Sequence, residues 1–258
     1  MENRLNQLFK SSKKPLLSVY YTAGFPKLND TSVVAASLEK AGADLIEIGI
    51  PFSDPVADGP TIQQSNKIAL DNGITLAQIL TQVTEIRKTV KLPIILMGYL
   101  NPVMQYGISK FAKDAAAAGV DGVILPDMPL PEYEREYRKV FEEAGLLMTF
   151  LISPTTSDDR IRQIDRISNG FIYAVSASST TGAKKGFASE QLEYFSHIKN
   201  MRLKNPFLIG FGISNRETFS QAAEYGAGAI VGSAFVSMLK DSKNIDKDIH
   251  QFVTTLKS

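Results

Sequence analysis

Apolar residues recur along this chain in eight short runs, each of about the length of one β-strand. The runs are LLSVYYTAG, ADLIEIGIP, PIILMGYL, GVILPDMP, LMTFLISP, FIYAVSAS, PFLIGFGI and GAIVGSAF. Most neighbouring runs are separated by one amphipathic stretch with helical spacing, such as SVVAASLEKAG or TLAQILTQVTEIRKTV. Near the N-terminus, the spacing of Leu5, Leu8 and Phe9 predicts one short amphipathic helix. Alternating strands and helices are typical of a parallel sheet covered by helices.

Glycines mark several of the predicted junctions between a helix and the next strand. They occur in EKAGADLIEI, AAAAGVDGVIL, EEAGLLMTFL and AEYGAGAIVG, where we expect the left-handed conformation that ends a helix. Eight strand–helix repeats favour a closed (β/α)8 barrel, the TIM barrel. The alternative is an open doubly wound sheet, but no GxGxxG turn follows the first strand. No linker divides the chain, so we expect residues 1–258 to form one barrel domain.

Composition narrows the possible functions. The 258 residues carry a net charge of +1 and contain no cysteine. The balanced charge argues against nucleic-acid binding, and the lack of thiols excludes disulfides, thiolate-bound metals and cysteine nucleophiles. The N-terminal sequence has no secretory pattern and no stretch is apolar enough to span a bilayer, so we expect a cytoplasmic protein. His197 and His250 fall on predicted surface helices, and we expect no metal site.

One carboxylate lies inside an apolar run. In LIEIGIP, alternation directs Ile46, Ile48 and Ile50 toward the helices and leaves Glu47 facing the barrel axis. Buried carboxylates are costly, and no strand run contains a lysine or arginine that could pair with it. We therefore interpret Glu47 as a functional residue near the carboxyl end of its strand, where barrel enzymes place their chemistry.

Two further carboxylates follow on a proline-rich loop. Asp54 and Asp58 could each be an ordinary turn residue, since Asp is common before Pro and Gly in loops. The position of Asp58 after the strand of Glu47 changes that interpretation, because both carboxylates can reach the same mouth of the barrel. We therefore predict that Asp58 belongs to the same site.

The last three strands predict an anion site. Tyr173 lies in the sixth run, where a tyrosine alone would usually be core packing. The loop STTGAKKG follows it, and the seventh and eighth runs end in Gly210, Gly212 and Gly232 before Ser233 opens a short helix. Loops after strands seven and eight, with a small helix N-terminus, recur as a phosphate site in barrels.

These segments together resemble a known family. LIEIGIPFSDPVADGPTIQ is similar to the signature of the tryptophan synthase alpha chain, and YTAGFP, LPDMP, TGAKKG, GFGIS and VGSAF match its other segments. The resemblance spans essentially the whole chain. It implies a (β/α)8 barrel that cleaves indole-3-glycerol phosphate to indole and glyceraldehyde 3-phosphate. Tyr20 departs from the Phe that relatives often have, and Pro126 from a small residue, which concerns the shape of the pocket.

The resemblance also assigns roles to individual residues. It implies Glu47, Asp58 and Tyr173 as catalytic residues and Thr181 as the lid residue that meets the aspartate. The phosphate-binding positions that it implies are Gly182, Gly212, Gly232 and Ser233. Tyr20 is expected to line the pocket.

Retro-aldol cleavage needs an acceptor for the electrons of the broken bond. The strand runs contain no lysine for a Schiff base and the sequence shows no metal cluster, so the substrate's own indole ring must accept them. We expect Glu47 to protonate C3 of the ring and to take the glycerol hydroxyl proton, since an apolar setting raises the pKa of a carboxyl. Asp58, on a more solvated loop, is expected to stay ionised and to stabilise the cationic ring.

The resemblance finally implies a partner, the tryptophan synthase beta chain, in an α2β2 complex. This chain would need no cofactor, and pyridoxal phosphate would belong to the beta chain. We expect PFSDPVADG and the loop NPVMQYG to contact it, with Asp54 and Asn101 as polar contacts and the apolar side chains of NPVMQYG exposed. Two alternatives remain at this stage: a non-catalytic barrel that only activates the beta chain, and another phosphosugar-binding barrel isomerase.

Overall fold

The computed structural model describes residues 3–176 and 186–257, and its eight parallel strands close into a barrel in chain order. The strands are β1 (Leu16–Thr22), β2 (Leu45–Gly49), β3 (Ile94–Met97), β4 (Gly122–Ile124), β5 (Leu147–Ile152), β6 (Ile172–Val175), β7 (Phe207–Gly210) and β8 (Gly228–Val231). Each strand pairs with the next, and Leu16 of β1 pairs with Gly228 of β8. This closure confirms the predicted TIM barrel and excludes the open sheet.

Helices surround the strands. They are α1 (Arg4–Ser11), α2 (Asp30–Ala41), α3 (Pro60–Asp71), α4 (Leu76–Ile86), α5 (Leu100–Tyr106), α6 (Ile108–Ala118), α7 (Leu130–Glu132), α8 (Arg138–Glu143), α9 (Asp158–Ile167), α10 (Ser189–Asn200), α11 (Arg216–Tyr225), α12 (Ser233–Asp241) and α13 (Ile245–Lys257). A π-helical segment, Tyr133–Tyr137, joins α7 to α8. None of the helices in the described ranges combines the length and apolar character that crossing a lipid bilayer requires.

Alternation along the strands divides the core into two shells. Leu17 and Val19 of β1 belong to the larger shell, between the strands and the helices. Leu16 of β1, Leu45 of β2 and Phe171, just before β6, belong to the smaller shell inside the barrel. Because the side chains of a strand alternate between its two faces, this division fixes which polar residues point to the axis.

The N-terminal end of the barrel is closed by α1. Its buried Leu5 packs into the inner shell, which confirms the amphipathic helix expected from the sequence. Asn3 caps α1 by accepting a hydrogen bond from the N–H of Leu5 at 2.9 Å, and it donates to the carbonyl of Asp121 at 2.8 Å. Helix α1 therefore covers this end of the barrel, opposite the carboxyl ends of the strands.

The left-handed conformation predicted for the glycines at four helix ends is confirmed at three of them. Gly42, Gly119 and Gly145 have φ values of 89°, 93° and 77°, in the left-handed region. Gly226 was expected to do the same, but its φ is −105°. A side chain there would place Cβ 2.8 Å from the carbonyl oxygen of Phe207. Close backbone approach, and not a left-handed turn, therefore explains this glycine.

Candidate active site

A cavity of about 820 Å³ lies at the carboxyl ends of the strands. Its walls come from the loops after β2, β3, β6, β7 and β8 and from the inner faces of several strands. The polar groups that line it include Tyr20, Asp58, Asn66, Tyr99, Tyr173, Ser176, Gln191, Ser214 and Ser233. Apolar side chains, among them Ile50, Met97, Leu151 and Phe211, form much of the remaining wall. A mixed apolar and polar cleft of this size suits a small aromatic ligand that carries a charged end.

Glu47 lies on the inner face of β2, as the alternation predicted. It is 0% exposed and does not line the cavity directly. Its Oε1 accepts a hydrogen bond from the hydroxyl of Ser18 at 2.6 Å, whereas Oε2 has no hydrogen-bond partner among the described residues. Burial raises the pKa of Glu47 to about 7, against the opposing effect of the Ser18 hydrogen bond. This carboxyl can therefore gain and lose a proton near neutral pH.

Two tyrosines, Tyr20 and the buried Tyr173, lie near Glu47. Tyr20 is the β1 residue paired with Glu47, and its hydroxyl lies so close to Gly49 that a Cβ on that residue would overlap it. The hydroxyl of Tyr173 approaches Gly210 in the same way. Both rings line the cavity, and burial raises both phenol pKa values above the usual range. The two glycines are therefore required by the space that the tyrosines occupy.

Asp58 lies on the loop between β2 and α3. Its Oδ2 accepts a hydrogen bond from the side-chain amide of Asn66 at 3.2 Å, and the neighbouring N–H of Ala57 donates to the hydroxyl of Tyr99 at 3.0 Å. The sequence predicted a more solvated carboxylate than Glu47, and Asp58 is indeed partly exposed. Burial still raises its pKa, while hydrogen bonds from Asn66 and Tyr99 lower it. Asp58 is therefore held by neutral donors that favour its ionised form.

The opposite wall of the cavity is formed by main chain. Gly212, with a φ of 74°, and Gly232 line the cavity together with Ser233. Gly232 precedes α12 directly, so the free N–H groups of the first turn of α12 lie at this wall. Such amides form an anion site without a lysine. Thr181 and Gly182, the other predicted lid and phosphate residues, lie outside the described residues.

The predicted partner residues lie at the mouth of the barrel. Asp54 is exposed on the β2–α3 loop, and Asn101 is exposed on α5. The prediction that NPVMQYG is a loop is wrong, because residues 100–106 form a helix. The prediction that the apolar side chains of this segment are exposed is confirmed only in part. Val103 is fully buried and packs into the outer shell, whereas Met104 is 53% exposed.

Sequence reasoning missed three residues that hold the carboxylates: Ser18, Asn66 and Tyr99. Ser18 could have been found, because the alternation that places Glu47 inside the barrel also places Ser18 there. Asn66 and Tyr99 gave no such signal, since their contacts depend on how a loop folds over the cavity. Within residues 3–176 and 186–257, no group of three or more His, Cys, Asp or Glu side chains is placed to hold a metal ion.

Comparison with known proteins gives a consistent family. Residues 6–257 match the family model described as the tryptophan synthase alpha chain. The tryptophan synthase alpha chain of Flavobacterium johnsoniae is 54% identical over 93% of this chain and 94% of its own length. That of Flavobacterium psychrophilum is 51% identical over 98% of this chain and 99% of its own length.

Solved structures agree with these relatives. An alpha chain from Legionella pneumophila superposes with a TM-score of 0.89 at 36% identity, covering 100% of this chain and 97% of that one. A chain of Mycobacterium tuberculosis tryptophan synthase superposes with a TM-score of 0.90 at 32% identity, covering 99% of this chain and 97% of that one. The chain therefore belongs to the tryptophan synthase alpha chain family, lyases that cleave indole-3-glycerol phosphate in tryptophan biosynthesis.

Proposed function

We propose that Glu47 carries the protons of indole-3-glycerol phosphate cleavage in this chain and that Asp58 stabilises the charge. The observation that supports this most strongly is the buried carboxyl of Glu47, one oxygen of which has no hydrogen-bond partner in residues 3–176 and 186–257. Within the described residues its one hydrogen bond comes from Ser18, which is neutral, so no cation holds it in the ionised state. A carboxyl kept only for stability would be paired with a cation or fully hydrogen-bonded.

The reaction then needs two proton transfers by one group. Protonated Glu47 gives its proton to C3 of the indole ring, which becomes an iminium-like electron acceptor. The resulting carboxylate takes the proton of the glycerol hydroxyl next to the breaking bond. The electrons of the C–C bond pass into the ring, indole and an aldehyde are released, and Glu47 is protonated again. The oxygen that would exchange these protons is Oε2, because Oε1 accepts the hydrogen bond from Ser18.

Asp58 has the complementary role. Its carboxylate lies on the cavity wall, where it can accept the indole N–H and offset the positive charge of the protonated ring. Hydrogen bonds from Asn66 and Tyr99 support the ionised state that this role requires. The two carboxylates thus have different tasks because their surroundings differ, a pattern common to acid–base sites.

Substrate binding completes the proposed site. The amides at Gly212, Gly232 and Ser233 would hold the phosphate, with Gly182 and Thr181 of the 177–185 segment as further contacts. Tyr20 and Tyr173 would lie against the indole and glycerol portions of the substrate. Residues 1–258 would work as one catalytic domain in the cytoplasm, which needs no cofactor of its own.

We also propose a partner at the mouth of the barrel, a beta chain that carries pyridoxal phosphate, in an α2β2 assembly. Val56, on the loop that carries Asp58, is 88% exposed, and Met104 of α5 is 53% exposed. Exposed apolar side chains at one rim support an interface, to which Asp54 and Asn101 would add polar contacts. A partner that orders this loop would also position Asp58, so binding and cleavage would be coupled. Mixing the two chains should therefore increase the rate of indole release and give a complex of α2β2 mass. An unchanged rate of indole release and an unchanged mass would refute the proposed partnership.

The proton-carrying role is tested by Glu47→Gln. The amide has the same shape but cannot exchange the proton, so indole release should fall by about a hundred- to ten-thousand-fold while the fold is kept. Glu85→Gln, a matched change at an exposed glutamate paired with Lys88, should leave the rate unchanged. Near-normal indole release by folded Glu47→Gln protein would overturn the proposal.

A further inference from the structure

A serine inside the barrel is the one described side chain that contacts the carboxyl of Glu47 by a hydrogen bond. Ser18 lies on β1, on the inner face that it shares with Leu16 and Tyr20, and it is fully buried. Its hydroxyl donates to Oε1 of Glu47 at 2.6 Å. Small polar residues are uncommon in a barrel interior, which is usually filled by branched apolar side chains. A hydroxyl at this buried position therefore indicates a specific role for Ser18.

The strand register shows on which side of Glu47 this contact lies. Ser18 pairs with Leu45, and Tyr20 pairs with Glu47, so Ser18 is two residues closer to the N-terminal end of the barrel. The cavity is at the opposite, carboxyl end. The Ser18 hydroxyl consequently holds Oε1 on the side away from the substrate.

The other titratable groups near Glu47 do not make this contact. Electrostatic interactions at the carboxyl end of the barrel link Tyr20, Tyr173 and Asp58 with one another. The charge of Glu47 also raises the pKa of both tyrosines. Within the described residues none of these groups donates a hydrogen bond to the carboxyl of Glu47, whose one bonded oxygen accepts from Ser18. Ser18 is the group that lowers the pKa of Glu47, against the opposing effect of burial.

We propose that Ser18 is a positioning residue for Glu47: its hydroxyl fixes Oε1 below the cavity and leaves Oε2 to exchange the proton. The hydrogen bond also sets the proton affinity of the carboxyl. Without this donor the carboxylate would be both mobile and too weak an acid to release its proton readily. This inference rests on the proposed role of Glu47 for its effect on activity, but not for its effect on the carboxyl itself.

The first test measures the carboxyl directly. Protein labelled with ¹³C at the glutamate carboxyls is titrated by NMR, and the Glu47 signal is assigned by its loss in Glu47→Gln. Ser18→Ala removes one donor to an ionised group, so the pKa of Glu47 should rise by about one pH unit. Ser18→Thr keeps the hydroxyl and should titrate close to wild type.

Two further variants separate the hydrogen bond from general packing. Ser168→Ala removes another buried serine hydroxyl, which has no hydrogen-bond partner, and should leave the Glu47 titration unchanged. Ser18→Cys keeps the volume of the side chain with a weaker donor, so it should give a smaller rise in the pKa and serves if Ser18→Ala fails to fold. An unchanged titration in Ser18→Ala, or in a folded Ser18→Cys, would overturn the role of Ser18.

The second test measures turnover. The pH above which kcat/KM for indole release declines should move upward by about one unit in Ser18→Ala, with little change in KM at low pH. If the NMR titration moves and the rate profile does not, the positioning of Glu47 by Ser18 stands and the catalytic role of Glu47 fails. If neither moves, Ser18 has no such role.

Discussion

The two ends of the barrel each bury a carboxylate, and they treat it in opposite ways. Asp121, at the N-terminal end of β4, pairs with Arg87 and with Arg4 of α1 and also accepts a hydrogen bond from the N–H of Ile94 at 2.9 Å. Glu47, inside the barrel on β2, has one neutral donor and one oxygen without a hydrogen bond within the part of the chain that the structure describes. Burial lowers the pKa of Arg87 to about 10, which still leaves it charged at neutral pH.

This difference is what we expect if the two carboxylates have different tasks. At the closed end, opposite charges satisfy one another and join α1 to the loops that precede β3 and β4, so the carboxylate contributes to stability. At the open end, a carboxyl with a pKa of about 7 costs stability whenever it ionises, a cost that a proton-carrying role explains. The same change, carboxylate to amide, should therefore have opposite effects on stability at the two ends.

The largest effect is expected at the closed end. Asp121→Asn leaves Arg87 buried beside a neutral amide, so the free energy of unfolding should fall by about 3–5 kcal/mol. Turnover of the protein that remains folded should be unchanged, because Asp121 is remote from the cavity. Urea unfolding at about pH 8, where Arg87 is still charged, measures the first quantity and indole release the second. A loss of turnover in folded Asp121→Asn would remove the distinction between the two ends.

The next effect has the opposite sign. Glu47 titrates at about 7 in the folded chain and near 4.5 when unfolded, so folding favours its protonated form. Its contribution to stability is fully present below pH 4.5 and is lost as the pH rises to about 7. Relative to Glu47→Gln, wild type should therefore lose about 3 kcal/mol of unfolding free energy between about pH 4.5 and about pH 8. If the unfolding free energies of the two proteins changed with pH in the same way, burial would not raise the pKa of this carboxyl.

A smaller effect is expected at Asp58. Asp58→Asn removes the charge that offsets the cationic ring, so kcat should fall by about a hundredfold with little change in KM. Asp54→Asn is the matched control, because it makes the same change at an exposed position of the same loop. In the isolated chain it should leave kcat unchanged. A change in KM alone at Asp58 would assign that residue to binding and not to catalysis.

The smallest effect concerns the phosphate wall. A Cβ at Gly232 would meet nothing closer than 3.6 Å, so Gly232→Ala should fold and bind normally. Gly232→Val would project into the cavity and obstruct the amides of α12, and we expect about tenfold weaker binding of glycerol 3-phosphate. Calorimetric titration of both variants measures this difference. Equal affinity in Gly232→Val and wild type would place the phosphate elsewhere.

Most of the fold and the inner positions of the site could be predicted from the sequence, because alternation in a strand is a local signal. Leu45, Glu47 and Gly49 could be placed on the axis from their order alone. Contacts set by loops and by chain reversal could not be predicted in this way. The helix of residues 100–106 begins at Leu100, whose N–H donates to the carboxylate of Asp127, and Gly226 lies against the carbonyl of Phe207. The hydrogen bond from Asn66 to Asp58 depends on how the loop before α3 folds.

Burial explains the remaining differences. Alternation could place Ser18 inside the barrel, but it cannot show that the Ser18 hydroxyl contacts the carboxyl of Glu47. It also cannot show that Val103 packs into the outer shell, because both contacts depend on three-dimensional packing. It also cannot show that burial raises the pKa of Asp58 on the proline-rich loop after β2. The sequence can therefore identify residues of the site, but the pKa values and hydrogen bonds of those residues can be obtained only from the structure.

The pH dependence of kcat/KM for indole release by the isolated chain tests the role of Glu47 most directly, since it reports the groups that must be protonated in the free enzyme. We expect kcat/KM to decline above about pH 7, as Glu47 loses the proton that it must give to the ring. This decline should persist in Asp58→Asn and be absent from the residual activity of Glu47→Gln. A rate that does not decline in wild type, or the same decline in Glu47→Gln, would contradict the assignment of the proton to Glu47.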